Sequence, residues 1–507
     1  TIGVDYGWGV YSGTNSHAYT SRSIDKTWTL REIAEKGLPT DLTSYISENV
    51  DGYKQLLPDL IVVAEPEEVS PALIAEIRAL DGVRQLRFTE KDKAWFFNYG
   101  LMVQVIVRIE VMAVKKRILI FTSSFPSPRN RISGIFVEDL TKALSAHFDV
   151  VVLAPALPGV DHCEYRDGMK ILRFRQGIGG ICLAGSPGGI LPALKRNRFL
   201  LFWLPFFLAL ELFALMRTVR EEKIDLIHAH WLLPQGFLAA IYKTVFTRRL
   251  RLLVTCHGSD LLKVNGKLLG WMKRYSLCHA DAVTVVSELL RRKAEALGNR
   301  KSHVLPMGVD TRLFSPEAAT PDFRARLGLK RNVILFVGSL IELKGVRALV
   351  AAMPEVIRKE PDTSLLLVGG GELEQELKFA VQKSGLEEHV VFAGARVHSE
   401  LPEFFAGSDI FILPSFSEGW PLVVMEALSS GPTVVVSRLP VFMEHPDRDK
   451  LFLTVTAGDS RDIAETLIRA LHMRSTAARK QGRAYAVREF DLAVVGARYT
   501  KLINELL

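Results

Sequence analysis

Short, continuous runs of apolar residues alternate with helical patterns along most of the chain after residue 117. The runs are rich in Val, Ile and Leu and lack polar alternation, so they predict parallel strands that are buried on both faces. They form two series: first RILIFTS, DVVVLAP, KILRF, IDLIHAH, LRLLVTCH and DAVTVVS, then NVILFVG, TSLLLVG, HVVFAG, DIFILPS and PTVVVS. Two such series predict two doubly wound α/β domains, in which ligands bind outside the carboxyl ends of the strands.

The same pattern indicates the domain boundaries. Residues 1–111 begin with a polar, Gly- and Tyr-rich stretch, followed by a βαβ-like unit without a catalytic motif. Because MAVKKRILIF from residue 112 resembles a natural protein start, we interpret 1–111 as an extension of unknown role, either a separate module or a read-through product. The first domain is expected at 112–310 and the second at 311–490. Residues 491–507 are expected to form a helix that returns to the first domain.

One apolar stretch, FLLFWLPFFLALELFALM at 199–216, approaches the length of a membrane span. It contains Pro205 and Glu211, and basic residues flank both of its ends. The strands predicted before and after it belong to one sheet, so a single membrane crossing is excluded. We expect either an ordinary core helix or a helix that lies in the membrane interface through an apolar face with a basic rim.

The composition favours a globular protein with anionic partners. Hydrophobic residues make up 48% of the chain, which is normal for folded domains. The net charge of +8 favours nucleotide phosphates or lipid headgroups, whereas the spread of basic residues disfavours nucleic acid. The four cysteines have no CxxC spacing, which predicts free thiols in a reducing cytoplasm; they are Cys163, Cys182, Cys256 and Cys278.

The segment SFSEGWPLVVMEALSSG at 415–431 places two acids beside a helix start. Glu418 lies in the turn after a predicted strand, and Glu426 lies inside the following helix. Free backbone N–H groups at a helix start bind phosphate, so Leu422 and Val423 are candidate phosphate donors. Carboxylates beside a phosphate are favourable only if they bind hydroxyl groups. The alternative is that Glu418 caps the helix and Glu426 is a solvated surface residue.

The motifs of both domains, taken in order, closely resemble glycosyltransferase family 4, the retaining group-1 transferases of GT-B fold. They are FPSPRNRISGIFVEDLTKAL, IDLIHAHWLLPQG and TCHGSDLL in the first domain, then FVGSLIELKG and the 415–431 segment in the second. The E-x7-E formed by Glu418 and Glu426 is the most specific of them. The resemblance implies an α/β protein with two facing Rossmann-like domains, an acceptor domain followed by a donor domain.

The resemblance also implies an activity. The expected reaction moves a hexose from a nucleotide-diphosphate sugar to a hydroxyl acceptor with retention of the anomeric configuration, in envelope polysaccharide or glycolipid synthesis. The expected partners are a nucleotide sugar and a carbohydrate or lipid-linked acceptor, with peripheral contact to an anionic membrane and no nucleic acid. No cofactor is expected, since the nucleotide sugar is a substrate, and the expected location is the cytoplasm, at the inner face of the membrane.

In the donor domain, the resemblance assigns the ribose hydroxyls to Glu426 and the donor hexose to Glu418. Lys344 matches the lysine that stabilises the departing diphosphate. Gly338 lets the backbone approach the phosphate closely. Ser339 stands where the family often has an arginine, so one positive contact is absent.

In the acceptor domain, Gly134 matches a glycine loop that lies against the donor phosphate or the reacting sugar. His257 matches the histidine that hydrogen-bonds the transferring sugar. His230 and Trp231 end another strand at the same sheet edge and are expected to shape the acceptor pocket. His228 is interpreted as buried structure. The histidines lack metal-site spacing, so no metal is expected.

Two departures from the family pattern keep an alternative open. They are Ser339 and the SRLP sequence at 437–440, where the family often has a Gly-Gly pair. They are compatible with a degenerate GT-B protein that binds a sugar nucleotide without transferring the sugar. Arg347 or Arg396 is a candidate to replace the missing cation. A GT-B phosphorylase or a sugar epimerase matches the motifs less well.

Overall fold

The computed structural model divides the chain into two compact units, Thr1–Lys115 and Lys116–Leu507. In the first unit it describes Lys115 and four strands: β1 (Ile2–Gly3), β2 (Leu60–Val63), β3 (Val83–Arg87) and β4 (Arg108–Val111). In the second unit it describes residues 116–127, 134–177, 183, 184, 190, 193, 194, 197, 199–262, 266–298, 302–473 and 476–507.

The four strands of the first unit form one mixed sheet in the order β1-β4-β2-β3. β2 and β3 pair in parallel, whereas β4 pairs antiparallel with both β1 and β2. Parallel neighbours need a crossover connection, which agrees with the βαβ-like pattern of the sequence. The helix predicted between these two strands lies outside the described residues.

The first half of the larger unit is built on an eight-stranded sheet. Its order is β12-β11-β10-β9-β5-β6-β8-β7, and all neighbours are parallel except the edge pair β8 and β7. The strands are β5 (Arg117–Phe121), β6 (Asp149–Pro155), β7 (Cys163–Arg166), β8 (Met169–Phe174), β9 (Leu226–His230), β10 (Arg251–Cys256), β11 (Ala282–Val285) and β12 (Ser302–Val304).

All the strands predicted in the first series are present, but β7 and β12 were not predicted. β7 is an edge strand with the sequence CEYR and no buried residue, and β12 has only three residues, none of them buried. Neither strand carries the continuous apolar run on which the prediction depended.

The second half is built on a six-stranded, fully parallel sheet in the order β15-β14-β13-β16-β17-β18. All five predicted strands are present, and the short β18 was not predicted. The strands are β13 (Asn332–Val337), β14 (Thr363–Val368), β15 (Val390–Gly394), β16 (Ile410–Leu413), β17 (Thr433–Ser437) and β18 (Leu453–Val455). β13, β14 and β16 are buried along their whole length, as continuous apolar runs require.

Helices cover both sheets. In the first half they are α1 (Ile135–Ser145), α2 (Leu200–Glu221), α3 (Phe237–Phe246), α4 (Ser259–Leu262), α5 (Lys267–His279) and α6 (Glu288–Ala296). In the second half they are α7 (Phe323–Arg326), α8 (Val346–Lys359), α9 (Glu374–Lys383), α10 (Leu401–Ala406), α11 (Leu422–Ser430), α12 (Pro440–Met443), α13 (Arg448–Leu451), α14 (Ser460–Met473), α15 (Thr476–Phe490) and α16 (Leu492–Leu506).

The last helix, α16, lies against the first half of the unit. It packs on α1, where a Cβ added to Gly496 would lie 2.7 Å from the Cβ of Ala143. Tyr499 is fully buried, and its hydroxyl donates a hydrogen bond to Thr284 Oγ1 at 3.3 Å. The end of the chain therefore joins the two halves.

In each sheet, the order in which successive strands are added reverses direction at the first strand. The first strand of each domain, β5 or β13, has the second strand on one side and a later strand, β9 or β16, on the other. In each sheet, the loop after the first strand and the loop after that later strand diverge. They leave a crevice at the carboxyl edge of the sheet, where ligands of such folds bind. The two parallel sheets confirm the predicted fold class and define where the functional site should lie.

The apolar stretch at 199–216 forms most of α2, whose length and composition would suffice to cross a membrane. The strands that precede and follow α2, β8 and β9, lie in the same sheet, with only β6 and β5 between them. A single crossing is therefore excluded by the topology. One stripe of the helix is buried in the protein and includes Phe207, Glu211 and Leu215.

Glu211 is a fully buried acid in this otherwise apolar helix. Its Oε1 accepts a hydrogen bond from Gln235 Nε2 at 2.8 Å, while Glu211 Oε2 and Gln235 Oε1 have no partner in the described part of the chain. Burial raises the pKa of Glu211 to about 8. The carboxyl is therefore favoured in its protonated form at neutral pH.

We expect Glu211→Gln to remove the pH dependence that the Glu211 carboxyl gives to the free energy of unfolding. The pKa of about 8 in the folded state exceeds the ordinary value of 4.5. The folded chain thus keeps a proton that the unfolded chain loses. Stability should fall by up to about 1.4 kcal/mol per unit as pH rises between these pKa values.

Thermal unfolding of both proteins at about pH 6 and about pH 8 would measure this loss, because glutamine keeps an oxygen that accepts from Gln235 Nε2 but does not titrate. The midpoint of the variant should rise relative to wild type at the higher pH. The same pH dependence in both proteins would contradict the assignment.

Candidate active site

The candidate site lies where turns from the two halves of the larger unit touch. A Cβ added to Gly258 would lie 3.1 Å from the Cα of Gly419, and a Cβ on Gly419 would lie 3.0 Å from the carbonyl oxygen of His257. Gly258 also has a φ of +116°, which L-residues with side chains rarely adopt. The turn that carries His257 therefore presses directly on the turn that carries Glu418.

Lys344 and Glu418 form an ion pair at the second crevice. Lys344 Nζ lies 2.6 Å from Glu418 Oε1, and the two side chains are 22% and 10% exposed. They meet because Lys344 follows β13 and Glu418 follows β16, which are neighbouring parallel strands. Gly345 permits this approach, since its φ is +68° and a Cβ there would lie 2.0 Å from the carbonyl oxygen of Pro414. The pair places one cation and one acid together beside the start of α11.

The helix α11 begins at Leu422, with Pro421 as its N-cap and no side-chain cap. The N–H groups of Leu422 and Val423 therefore belong to the first turn, where an α-helix offers them no internal acceptor. The interpretation of Glu418 as a helix cap is wrong, because its carboxylate instead binds Lys344. The first-turn N–H groups of α11 are therefore not capped by Glu418.

Glu426 lies one turn further into α11 and is only 2% exposed, so its interpretation as a solvated residue is also wrong. Its Oε1 lies 2.8 Å from Nε2 of His398. Its Oε2 has no hydrogen-bond partner among the described residues. A buried carboxylate oxygen without a donor is costly, and a hydroxyl group of a ligand would satisfy it.

His398 was missed in the sequence analysis. It follows β15 in the loop before α10, at the carboxyl edge where Gly338 and Glu418 also lie, and that position is the signal that would have found it. Burial acts to lower the pKa of His398, but the hydrogen bond and charge of Glu426 and the charges of Asp139 and Asp310 produce a net increase. His398 is therefore favoured as a cation between acids.

Asp139 brings the first half of the unit into the same electrostatic cluster. It lies on α1, and burial raises its pKa to about 6, while the charge of His398 opposes the increase. The cluster around Glu426 therefore depends on residues from both sides of the crevice.

On the acceptor side, His257 lies in an aromatic cluster. Its Nε2 is 3.1 Å from Nδ1 of His230, and its ring centroid lies 4.8 Å from that of Trp231 and 5.0 Å from that of Phe136. Burial lowers the pKa of His257 to about 3, so the ring is neutral and its hydrogen bonds fix its orientation. Trp231 has a φ of +70°, a strained conformation that persists only where the surroundings enforce it.

Asp260 holds the two turns of this cluster together. It lies within α4, and its carboxylate accepts hydrogen bonds from the backbone N–H groups of Leu232 at 3.0 Å, Gly258 at 2.9 Å and Leu261 at 3.1 Å. The first bond secures the loop after Trp231, and the second secures the turn after His257. The sequence contains a polar residue at this place but does not indicate that it reaches across to a second loop.

Gly134 lies at the N-cap of α1 with a φ of +79°, and a Cβ there would lie 2.4 Å from the carbonyl oxygen of Ser124. Only glycine fits this position without a backbone shift. Phe136 follows two residues later and contacts His257, so the start of α1 reaches the aromatic cluster. Gly134 thus lies on the predicted side of the crevice.

His228 is fully buried, and its Nε2 lies 2.7 Å from Thr255 Oγ1. Burial lowers its pKa to about 3, as expected for a structural histidine. Across the described ranges, His, Cys, Asp and Glu form no group of three or more that could hold a metal ion. The roles assigned to the site residues and the absence of a metal stay predictions.

The structure gives no support for a substitute for the missing arginine. Ser339 is exposed directly after Gly338. Arg347 forms ion pairs with Glu342 and Glu376. Arg396 donates to the carbonyl oxygen of Ala393 at 3.0 Å and lies over the ring of Phe404. The role of Lys344 as the cation of the donor side stays a prediction; the structure shows it paired with Glu418.

Comparison with known proteins agrees with this geometry. The family model described as Glycosyltransferase Family 4 matches residues 133–313, and the model described as Glycosyl transferases group 1 matches residues 320–487. The two matches fall on the two sheets. Among solved structures, sucrose-phosphate synthase from Thermosynechococcus elongatus superposes with a TM-score of 0.64 at 21% identity, over 77% of this chain and 99% of its own, which shows a common fold.

Two curated relatives extend the match. The GDP-mannose-dependent alpha-(1-6)-phosphatidylinositol monomannoside mannosyltransferase of Mycolicibacterium smegmatis is 31% identical over 313 residues, which cover 57% of this chain and 78% of the relative. The protein of the same name from Mycobacterium tuberculosis is 30% identical over 377 residues, covering 71% and 90%. This protein is therefore a glycosyltransferase of GT-B fold, and the chain belongs to glycosyltransferase family 4, the group-1 glycosyltransferases.

Proposed function

We propose that this enzyme moves a hexose from a nucleotide-diphosphate sugar to a hydroxyl acceptor and keeps the anomeric configuration. The observation that carries the proposal is the contact of Gly258 with Gly419. It brings the turn of His257 against the turn of Glu418, beside the ion pair with Lys344. Groups suited to a diphosphate, a sugar and an aromatic-lined acceptor site therefore converge on one crevice. The relatives' names, which specify GDP-mannose as donor, support the same class of substrate.

The donor diphosphate binds at the start of α11. Its oxygens accept from the N–H groups of Leu422 and Val423, where the helix dipole also favours negative charge. Lys344 is shared between the diphosphate and Glu418, so it keeps the acid compatible with a nearby anion. Glu426 binds the ribose hydroxyls through Oε2, because Oε1 is already held by His398.

The difficult step is cleavage of the bond between the anomeric carbon and the diphosphate oxygen. Negative charge grows on the leaving oxygen, and the ammonium of Lys344 and the first-turn N–H groups stabilise it. The acceptor oxygen attacks from the side that the diphosphate leaves, and the leaving phosphate takes the proton of the acceptor hydroxyl. Attack from the same face gives retention. Closure of the two domains over the crevice excludes water and limits hydrolysis of the donor.

The acceptor binds against Trp231, whose ring lies with those of Phe136 and His257 in an aromatic cluster that suits a sugar ring or the head of a lipid-linked acceptor. His230 is fully buried, so it supports the ring of His257 and does not line the acceptor pocket as expected from the sequence. The relatives act, by their names, on a phosphatidylinositol monomannoside. We therefore propose a carbohydrate or lipid-linked acceptor in envelope polysaccharide or glycolipid synthesis, met at the cytoplasmic face of the membrane.

A panel of donors tests the proposal. GDP-, UDP- and ADP-hexoses are added separately to the full chain, and thermal unfolding is followed, because a ligand that binds the folded state raises its stability. At least one donor should raise the midpoint, and that donor should then be hydrolysed slowly or transferred to glycolipid acceptors. No shift with any donor would contradict the proposal. Binding without any turnover would favour the degenerate binder that Ser339 keeps open.

We expect His257→Ala to lower kcat about tenfold while the Kd of the donor changes little, since one hydrogen bond to the transferring sugar is worth about 1.4 kcal/mol. Steady-state transfer or donor hydrolysis gives kcat, and calorimetric titration gives the Kd. His303→Ala, at an exposed position of the same domain, is the control. A fully active His257→Ala variant would remove this residue from the site.

A further inference from the structure

The outward side of α2 is apolar and exposed. Its most exposed large side chains are Phe199 (80%), Phe202 (78%), Phe213 (66%) and Phe206 (61%). At about 100° per residue, these four fall within an arc of about 60° on one side of the helix. We call this stripe the α2 face.

The α2 face is opposite the stripe that packs on the protein, which includes Phe207, Glu211 and Leu215. An ordinary core helix is polar on its outward side, because only the inward stripe is covered. Scattered exposed apolar residues need no explanation, whereas four phenylalanines in one row form a continuous patch. The core-helix interpretation of this segment therefore accounts for only one of its two sides.

Neighbouring helices extend the exposed apolar area. α3 packs against both α2 and α5. It exposes Val245 (66%) and Phe246 (48%), and α5 exposes Leu268 (69%) and Trp271 (55%). Large apolar side chains are thus exposed on three helices that pack in sequence, α2 on α3 and α3 on α5.

The charged residues near these helices are mostly basic. Segments 237–251 and 266–279, which include α3 and α5, contain no Asp or Glu. Exposed cations of α2, α3, α5 and the adjoining loops include Arg217, Arg220, Lys223, Arg248, Arg249, Lys267 and Arg274. Arg217 pairs with the exposed Glu221, so the excess of positive charge comes from the others. Apolar residues accompanied by an excess of cations suit a surface with an apolar interior and anionic headgroups.

We propose that the α2 face, with the exposed ends of α3 and α5, docks on an anionic lipid membrane. The helix lies in the interface and does not cross it, because the strands on either side of α2 belong to one sheet and Glu211 is buried in the protein. A second copy of the chain is a poorer occupant, since the same cations on both copies would repel each other.

The inference rests on the proposed function in one respect only: membrane docking would give the enzyme access to a lipid-linked acceptor. Glu211 on α2 is hydrogen-bonded to Gln235, four residues after Trp231. The inserted helix is thereby connected to the loop on the acceptor side. A membrane-bound enzyme would meet lipid-linked hydroxyls next to that loop.

The test is cosedimentation of the full chain with vesicles of phosphatidylcholine alone or mixed with phosphatidylglycerol. Wild type should bind the anionic vesicles. The triple variant Phe202→Ser, Phe206→Ser, Phe213→Ser should bind at least about tenfold more weakly, because each inserted phenylalanine contributes apolar burial. Phe379→Ser is the matched control, since Phe379 is 66% exposed on α9, as Phe213 is on α2.

A second variant tests the electrostatic part. Arg248→Gln with Arg249→Gln should weaken binding to anionic vesicles about tenfold, and added salt should have a similar effect on wild type. Binding to phosphatidylcholine alone should be weak for every protein. If vesicle affinity changed neither with phosphatidylglycerol nor with the two arginine substitutions, the choice of an anionic membrane would be overturned.

Three results would overturn the docking surface itself: wild type that does not bind, a triple variant that binds as wild type does, or a wild-type dimer in analytical ultracentrifugation that the triple variant loses without any vesicle binding. Thermal unfolding with the donor separates this test from the proposed function. The phenylalanines lie outside the donor site, so the triple variant should keep the wild-type shift. Loss of that shift in every protein, wild type included, would concern the proposed function alone.

Discussion

Lys344→Ala is expected to lower kcat about a hundredfold, because removal of one preorganised donor that stabilises a leaving group costs about that factor. In this structure Lys344 Nζ lies 2.6 Å from Glu418 Oε1, beside the N–H groups that begin α11. Arg347 and Arg396 are engaged elsewhere, so neither replaces the lost charge.

The measurement is initial-rate transfer or donor hydrolysis at saturating donor. Lys378→Ala is a matched control, since Lys378 Nζ also forms an ion pair, at 2.7 Å from Glu374 Oε1, but on an exposed helix surface. That control should keep the wild-type rate. If Lys344→Ala kept most of the wild-type kcat, the assignment of Lys344 to the leaving group would be contradicted, and Lys344 would serve only as the ion-pair partner of Glu418.

Glu426→Ala is expected to weaken donor binding about tenfold to hundredfold, since hydrogen bonds to a charged acceptor are worth about 1.5–3 kcal/mol. Glu426 is 2% exposed and keeps Oε2 unpaired in the described part of the chain. The ribose hydroxyls are the donors that would satisfy it. The effect should appear mainly in the Kd of the donor, because the ribose is bound equally before and during the reaction.

Calorimetric titration with the best donor gives the Kd, and thermal unfolding of the ligand-free variant checks that the fold is intact. His398→Ala separates binding from positioning: it removes the partner of Oε1 but leaves Oε2, so its loss of affinity should be smaller than that of Glu426→Ala. Glu465→Ala, at an exposed ion pair with Arg461, should leave the Kd unchanged. Unchanged affinity in Glu426→Ala would contradict the ribose role.

Much of the fold was predictable because it depends on local patterns. Strands buried on both faces require continuous Val, Ile and Leu, and each such run in the sequence became a strand of one of the two sheets. The strands that escaped prediction, β7, β12 and β18, are short or lie at sheet edges, where burial does not impose that pattern. The start of α11 was also predictable, since a strand, a turn with proline and a glycine stop follow each other within one segment.

The site was predictable residue by residue but not as a set of contacts. The strand-turn-helix segment and its family resemblance identified Glu418 and Glu426, and the sheet edge identified His257. The partners of these residues come from distant segments: Lys344 precedes Glu418 by 74 positions, and His398 precedes Glu426 by 28. The position of His398 after a strand was a local signal, but its pairing with Glu426, its interaction with Asp139 and the reach of Asp260 to the loop after Trp231 became visible only in three dimensions.

The sequence alone determined the two parallel sheets, the helix start and the acids beside it, because each depends on neighbouring residues along the chain. Only the tertiary structure decided which loops meet at the crevice and which side of α2 is exposed. Strand order in a parallel sheet is set by how crossovers pack, which no local periodicity encodes. A helix that is apolar all round likewise does not reveal which of its sides the protein covers, because that depends on the sheet it packs against.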